Sequence, residues 1–333
     1  MVQNYRYLNE HTVKNNYPLP LIVQLVDKLQ GAKLFMKMDL RLGYNNVRIK
    51  ENDEWKAAFT CFHGSFKPLI MYFGLCNSPT TFQAMMNEIF TDMDDVVVVY
   101  IDDLMIFTKT ENQAEHDKVV LEVLKRLEEN DLFVKPEKCT FCTTEVDFLS
   151  MIVRHDRIKM DQEKAKAILE WPEPKTVTGV RSFLRLANFY RRFIKDYAKV
   201  TRPLHDLTKK ESPFLWEEPQ QVMSDTLKLH FTTAPILAFP DIDCVFCLKS
   251  NTSDYATGAV LSIEKEGVWH PVTFSSHSMT SQERNYPITD KEMLSVIQAL
   301  EQWCYYLEGA RHQFEIWNDH VNLQWFMQRQ DLN

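Results

Sequence analysis

Residues 96–109 read VVVVYIDDLMIFTK, a run suited to burial that two adjacent carboxylates, Asp102 and Asp103, interrupt. Val96–Val99 and the cluster Leu104, Ile106 and Phe107 carry the β-branched and aromatic side chains of a covered strand. The pattern predicts strand, turn, strand, with both acids at the turn. Asp suits a turn because it tolerates that backbone geometry and prefers water. It equally suits an oxygen-ligated metal site, and the stretch alone leaves the two readings even.

The surrounding sequence narrows the choice. YPLPLIVQLVDKLQGAKLF places prolines ahead of an amphipathic helix, with Ile22, Leu25, Val26 and Leu29 on one face and Gly31 as its stop. KLFMKMDLRLGYNNVRIK reads as a strand, a turn at LGYNN and a second strand, and AAFTCFHGSFKPLIMYFGL as a hairpin breaking at His63-Gly64. Thr110 and Gln113 suggest a capping box for a helix whose apolar face is Val120, Val123, Leu124 and Leu127. Asp39, an acid within an apolar strand pattern, is then a candidate third carboxylate. Two metal ions ~3.5 to 4 Å apart, clamping an in-line phosphoryl displacement, require such convergent acids. Carboxylates without histidine favour Mg²⁺ over zinc.

At 333 residues the chain is long enough for two or three domains, and 45% apolar with 25% charged residues is ordinary globular composition. No apolar run is long enough to cross a bilayer and the first residues lack a signal peptide's apolar region, which predicts an intracellular protein with no membrane partner. Seven cysteines argue for reduced thiols. The pairs Cys139/Cys142 and Cys244/Cys247 have zinc-like spacing, but their apolar, strand-like settings favour core packing. The net charge of −8 hides two basic zones: +5 over residues 1–50 and +6 over residues 179–202, leaving −19 elsewhere. That distribution fits a protein that tracks a phosphate backbone in one groove, although solvated helix faces are often locally basic as well. Within the second zone, Val180, Phe183, Leu184 and Ala187 share one helix face, with Arg181, Arg185 and Arg192 off it.

Together, YRYLNEHT, YPLP, MDLRLGY, FGLCNSPTTFQAMMN, VYIDDLMIFTK, LFVKPEKCTF and VDFLS, in this order, closely resemble the reverse transcriptase of Gypsy-type long-terminal-repeat retrotransposons. ILEWPEPKTVTGVRSFLRLANFYRRFIKDYAKVTRPLHDLTKK resembles that family's thumb and connection. TTAPILAFPD, SDYATGAVLS, HPVTFSSHSM, ERNYPITDKEML and LEGARHQFEIWNDHVNL resemble its ribonuclease H domain. The resemblance implies an α+β fold: a right-hand palm with partial fingers over residues 1–153, a helical thumb and connection over 154–235, and a ribonuclease H-like α/β domain, C-terminally truncated, over 236–333.

The resemblance also implies roles. Asp39, Asp102 and Asp103 match the metal-binding triad for two Mg²⁺ ions, with Mn²⁺ as a substitute. Tyr44 matches the aromatic under the incoming sugar, and Arg41, Phe73, Gly74 and Gln83 complete the nucleotide-binding set, with Pro79 and Phe82 on the supporting helix. Ser150, Arg181, Arg185 and Arg192 fall in the primer and template region. The implied partners are an RNA template, a DNA primer, their hybrid, dNTPs and the protease and integrase domains of a polyprotein. The implied location is the cytoplasm, in a virus-like particle, or the nucleus.

Three departures qualify this expectation. The basic fingers segment that grips the triphosphate is not matched before YRYLN, where Asn4 stands in place of the family's acid. Ser150 occupies a position that is usually Gly, so a positive φ there would strain the turn. In the ribonuclease H motif the first acid aligns with Asn251; Glu292 and Asp319 match the second and third. Asn offers a carbonyl oxygen without charge, so an incompletely folded or remnant domain without RNA cleavage is expected. RNA-directed DNA synthesis is thus the leading reading, and an inactive or domesticated relic that only binds nucleic acid is the alternative. A metal-dependent phosphatase would leave the basic helix unexplained.

Overall fold

The computed structural model describes residues 3–210 and 213–319. The chain divides into two compact units, one running to Leu149 and taking in Val153–His155, the other comprising Ser150–Ile152 and the residues from Asp156 onward.

The first unit holds α1 (Arg6–His11), α2 (Ile22–Lys28), β1 (Leu34–Asp39), the hairpin β2 (Phe59–Cys61) and β3 (Gly64–Phe66), and α3 (Ser78–Ile89). It continues through β4 (Val97–Tyr100), β5 (Asp103–Thr108), α4 (Gln113–Glu129), β6 (Thr140–Thr143) and β7 (Glu145–Phe148). Its sheet has the order β4-β5-β1-β6, with β5 antiparallel to both β4 and β1. Leu104, Met105, Ile106 and Phe107 are all buried, so β5 is covered on both faces. That is why its sequence reads as an unbroken apolar run rather than an alternation. On one face Met36, Met38, Val97, Val99, Leu104 and Ile106 pack with Phe82 and Met86 of α3 and Val123 and Leu127 of α4.

Strand β8 (Met151–Arg154) follows the turn at Leu149-Ser150. The second unit then holds β9 (Arg157–Met160), α5 (Gln162–Leu169), α6 (Val177–Phe189), α7 (Tyr197–Asp206), α8 (Glu218–Thr232) and β10 (Leu237–Ala238). It ends in β11 (Phe246–Thr252), β12 (Ala256–Lys265), β13 (Val268–Ser278), α9 (Ile288–Leu307) and β14 (Glu315–Trp317). The sheet order is β13-β12-β11-β14, with β14 parallel to β11. Phe246, Leu248, Leu261, Ile263 and Val272 pack with Ala299, Trp303, Tyr306 and Leu307 of α9. Pro271 is tolerated in β13 because it sits at a shift in register on an edge strand, where a missing N–H breaks little.

Several sequence expectations need correction. No second strand follows LGYNN: residues Gly43–Asn46 form a 3-10 turn, and only an isolated bridge, Arg48 to Ile70, remains. The N-cap of α4 is Asn112, whose side chain accepts from the Ala114 amide, while Thr110 accepts from the Asn112 amide one step earlier. The span 154–235 is not helical from its start, since β9 lies within it. The C-terminal domain does not fold incompletely among the described residues, where its sheet and α9 share a closed apolar core. Cys247 is fully buried and Cys139 packs against the first unit's core, because both sit on apolar faces. No described helix is long and apolar enough to cross a membrane.

His116 on α4 is buried, with Nδ1 3.0 Å from Thr108 Oγ1 and Nε2 without a hydrogen-bond partner. Burial lowers its pKa. The unfolded chain therefore takes up a proton first as pH falls, and stability present above the unfolded value, about 6.5, is lost below it. The midpoint of urea unfolding should fall with pH across that window, and His116→Gln should flatten the dependence.

Candidate active site

Antiparallel register decides where the first acid meets the pair. Asp39 is the last residue of β1 and lies directly opposite Asp103, the first of β5, a pairing that brings Cβ atoms to ~4.5 to 5.5 Å. Asp102 belongs to the connecting turn, and its carbonyl accepts from the Leu40 amide at 3.3 Å. The turn is strained: Ile101, a β-branched residue, has φ 55°. Gln83 of α3 holds it there. Its Oε1 accepts from the Ile101 amide at 2.7 Å and its Nε2 donates to the Val99 carbonyl at 3.1 Å. Gln83 is fully buried, so it braces the acid-bearing hairpin and does not line a nucleotide pocket, contrary to the sequence expectation.

The three carboxylates crowd like charge in a partly buried setting. Burial and then the Asp39 charge raise the pKa of Asp102. Burial raises that of Asp103 and the Asp39 charge adds to it, against the opposing Lys37, whose Nζ is 3.7 Å away. Burial acts to raise Asp39 too, but the Lys135 hydrogen bond and charge, helped by Lys138, leave it lowered. Lys135 Nζ donates to Asp39 Oδ1 at 2.8 Å and Lys138 Nζ is 3.5 Å from Oδ2.

No three His, Cys, Asp or Glu side chains among the described residues are arranged as a ready metal cage. The donor set nevertheless fits a hard divalent cation. All of it is carboxylate oxygen, and Asp102 Oδ1 is buried without a hydrogen-bond partner. Mg²⁺ needs only one or two protein carboxylates when substrate oxygens complete its shell.

Beside the acids lies an aromatic group. Tyr44 is buried, edge-on to Phe73 with centroids 4.9 Å apart and to Phe82 at 5.6 Å. Burial, then the Asp102 and Tyr100 charges, push the Tyr44 hydroxyl up to about 12. Phe73 is 62% exposed, which leaves its ring open to a ligand. Arg41 is exposed, and its amide donates to the Phe133 carbonyl at 2.6 Å. The Phe73-Gly74 loop is tied down by residues the sequence reading passed over. Asn9 donates to the Gly74 carbonyl at 2.7 Å and accepts from the Cys76 amide at 2.9 Å, and Asn77 donates to the Val13 carbonyl at 2.9 Å. Gly74 has φ 104°, a backbone only glycine adopts readily.

With the Asp39–Asp103 pairing in place, comparison with known proteins decides the family. Residues 1–153 match the family described as reverse transcriptase (RNA-dependent DNA polymerase), and residues 216–316 match the RNase H-like domain found in reverse transcriptase. The Transposon Tf2-3 and Tf2-7 polyproteins of Schizosaccharomyces pombe are each 36% identical over 97% of this chain. The chain carries the reverse transcriptase and RNase H-like domains of a retrotransposon polyprotein. It spans about a quarter (24%) of the length of those relatives. Two foamy viral protease-reverse transcriptase structures share its fold at 22% identity. One, in complex with RNA/DNA hybrid, has a TM-score of 0.80 over 98% of this chain and 44% of that one; the other, with double-stranded DNA, has 0.82 over 99% and 68%.

Outside the palm-like sheet the expected reverse transcriptase residues are sorted by burial. Arg181 and Arg185 project from α6 into solvent, and Arg181 Nη2 donates to the Thr208 carbonyl at 3.0 Å. Arg192 is only 5% exposed and so is not presented to a phosphate backbone, a correction that follows from its place in the turn after α6. Ser150 has φ 62°, as the glycine-like position suggests, and its carbonyl accepts from the Tyr190 hydroxyl at 3.2 Å. Asn251 and Asp319 are exposed and line one cavity of about 380 Å³ with Lys195, Asp196, Lys249 and Trp317. Glu292 is buried and engaged by neutral donors: the Thr252 hydroxyl, and Asn318 Nδ2 at 2.8 Å.

Gly43 is required by space rather than by φ. A Cβ there would lie 2.6 Å from Asp102 Oδ1 and 2.9 Å from Phe82 Cζ. Gly43→Ala should lower stability by ~1 to 3 kcal/mol through overpacking and displace the Asp102 carboxylate. Equilibrium denaturation measures the first effect, and nucleotide incorporation, expected to be lost, measures the second.

Proposed function

We propose that this chain is the polymerase core of an RNA-directed DNA polymerase, extending a DNA primer on an RNA or DNA template with dNTPs. The observation that carries the reading is the cross-strand placement of Asp39 against Asp103, with Asp102 in the adjoining turn beside an open aromatic surface. Asp39, Asp102 and Asp103 would hold Mg²⁺ or Mn²⁺. Bound ions would supply Lewis-acid activation of the primer 3′-hydroxyl and neutralise charge on the triphosphate. The protein's own contribution is rigidity: a turn fixed by Gln83 keeps carboxylates close before any cation arrives.

Tyr44 is the wall of the sugar site. Held edge-on by Phe73 and Phe82, its buried ring cannot swing aside to admit a 2′-hydroxyl, which selects deoxynucleotides. The exposed face of Phe73 stacks the incoming nucleotide. Arg181 and Arg185 contact phosphates, which gives affinity without sequence readout, as copying requires. The nucleic acids bound by the foamy viral proteins support an RNA/DNA hybrid or duplex as the partner here. The relatives are polyproteins, which supports protease and integrase domains as further partners.

RNA cleavage is absent in this reading. Asn251 carries no charge and Glu292 is committed to the Thr252 hydroxyl and to Asn318. Glu292→Ala would then act on folding alone: it should lower stability by ~1 to 3 kcal/mol by leaving the Thr252 hydroxyl without its acceptor. A heteroduplex cleavage assay should show no Mg²⁺-dependent activity in either protein. Activity abolished by the substitution would restore the domain as a nuclease.

The direct test is primer extension on poly(rA)/oligo(dT) with Mg²⁺ or Mn²⁺. Incorporation is expected and should fall by more than about 100-fold in Asp102→Asn, since even outer-shell partners of a metal are worth ~10 to 100-fold. Salt-dependent binding to the hybrid without extension would favour the binding-only relic.

A further inference from the structure

We infer that Lys135 is a positioning residue that holds the Asp39 carboxylate as a built-in counter-cation and is displaced when a divalent cation binds. The inference rests on the metal-dependent reading above and deepens it. Three observations carry it.

The first is how firmly Lys135 is planted. Residues 133–135 run antiparallel to residues 39–41: the Arg41 amide donates to the Phe133 carbonyl at 2.6 Å, Leu40 bridges Val134, and the Lys135 amide donates to the Asp39 carbonyl at 2.9 Å. Backbone pairing therefore places the Lys135 side chain beside Asp39, and Pro136 immediately afterwards turns the chain into a short 3-10 segment, Pro136–Lys138. The second is the contact itself. Lys135 Nζ donates to Asp39 Oδ1 at 2.8 Å, with the two side chains only 29% and 22% exposed. The third is asymmetry among the cations at the cluster. Lys37 and Lys138 approach less closely, at 3.7 Å from Asp103 and 3.5 Å from Asp39, and Lys138 is 59% exposed.

The physical consequence is competition. Three partly buried carboxylates in one cluster repel unless positive charge is close, and an ammonium at hydrogen-bond distance supplies it without metal. A divalent cation at Asp39 would compete with Lys135 Nζ for the charge of that carboxylate and repel the ammonium held on Oδ1. Lys135 therefore preserves the geometry of the site while lowering its affinity for the ion. Occupancy by metal then depends on the further oxygen ligands that nucleotide phosphates bring.

The test uses direct Mn²⁺ binding to the 333-residue chain without nucleic acid, followed by calorimetry, and the shift in unfolding midpoint that saturating Mn²⁺ produces. Lys135→Met should tighten Mn²⁺ binding by about tenfold, the scale of a partly buried ion pair, and enlarge the thermal shift. Lys135→Arg should restore the original affinity, and Lys138→Met should change it by less than about twofold. Asp102→Asn, expected to abolish the binding, assigns it to this cluster. If the unaltered chain binds Mn²⁺ and Lys135→Met binds it equally well, the displacement is wrong while the two-metal reading stands. If neither protein binds Mn²⁺ at any concentration that leaves it folded, the displacement is wrong, and the two-metal reading stands or falls on primer extension with nucleotide present.

Discussion

The β1–β5 register is the constraint on which the first unit depends. Because side chains alternate with a period of two along a strand, slipping β1 by one residue against β5 would turn Asp39 away from Asp103 and move Met36 and Met38 out of the apolar layer they share with Leu104 and Ile106. The hydrophobic core and the acid cluster are thus specified by a single alignment. Burial on both faces of β5 makes that alignment costly to break, so the core's stability is available to hold like charges near one another. Chemistry and folding are coupled here through geometry rather than through any shared side chain.

That coupling concentrates strain at the hairpin and spreads its support over distant parts of the sequence. Ile101 is held in the left-handed region by an amide from α3, and Gly43 leaves room for the Asp102 carboxylate where any side chain would collide with it. Asn9 and Asn77 fix the Gly74 loop in the same manner, with amide side chains satisfying backbone groups that no strand or helix satisfies. Each of these residues reads from sequence as an ordinary polar or small position. Gln83, Asn9 and Asn77 are braces, and an amide suits that task because it offers both donor and acceptor without charge.

The ribonuclease H-like sheet shows the opposite resolution of a similar problem. Where the first unit keeps three acids and surrounds them with lysines, the second keeps Glu292 of α9 buried against its sheet and satisfies it with a hydroxyl and an amide. A carboxylate enclosed by neutral donors is well suited to tying β11, α9 and the residue after β14 together. The core is close-packed with an uncharged residue at position 251, since the apolar contacts of Leu248, Leu261 and Trp303 do not depend on it.

Much of this was legible in the sequence. The apolar runs on either side of Asp102-Asp103 specified two covered strands and a turn, and the spacing of Val180, Phe183, Leu184 and Ala187 specified the buried face of α6. Such patterns are local, and burial follows them directly. What only the tertiary structure decided was long-range: that Asp39 faces Asp103, that Gln83 supports the turn rather than a ligand, that Arg192 is enclosed, and that Lys135 reaches Asp39 across ninety-six positions of chain. The reason is physical. Periodicity encodes which face of an element seeks burial, whereas strand register and side-chain hydrogen bonds depend on elements brought together only by folding, and no local pattern carries them.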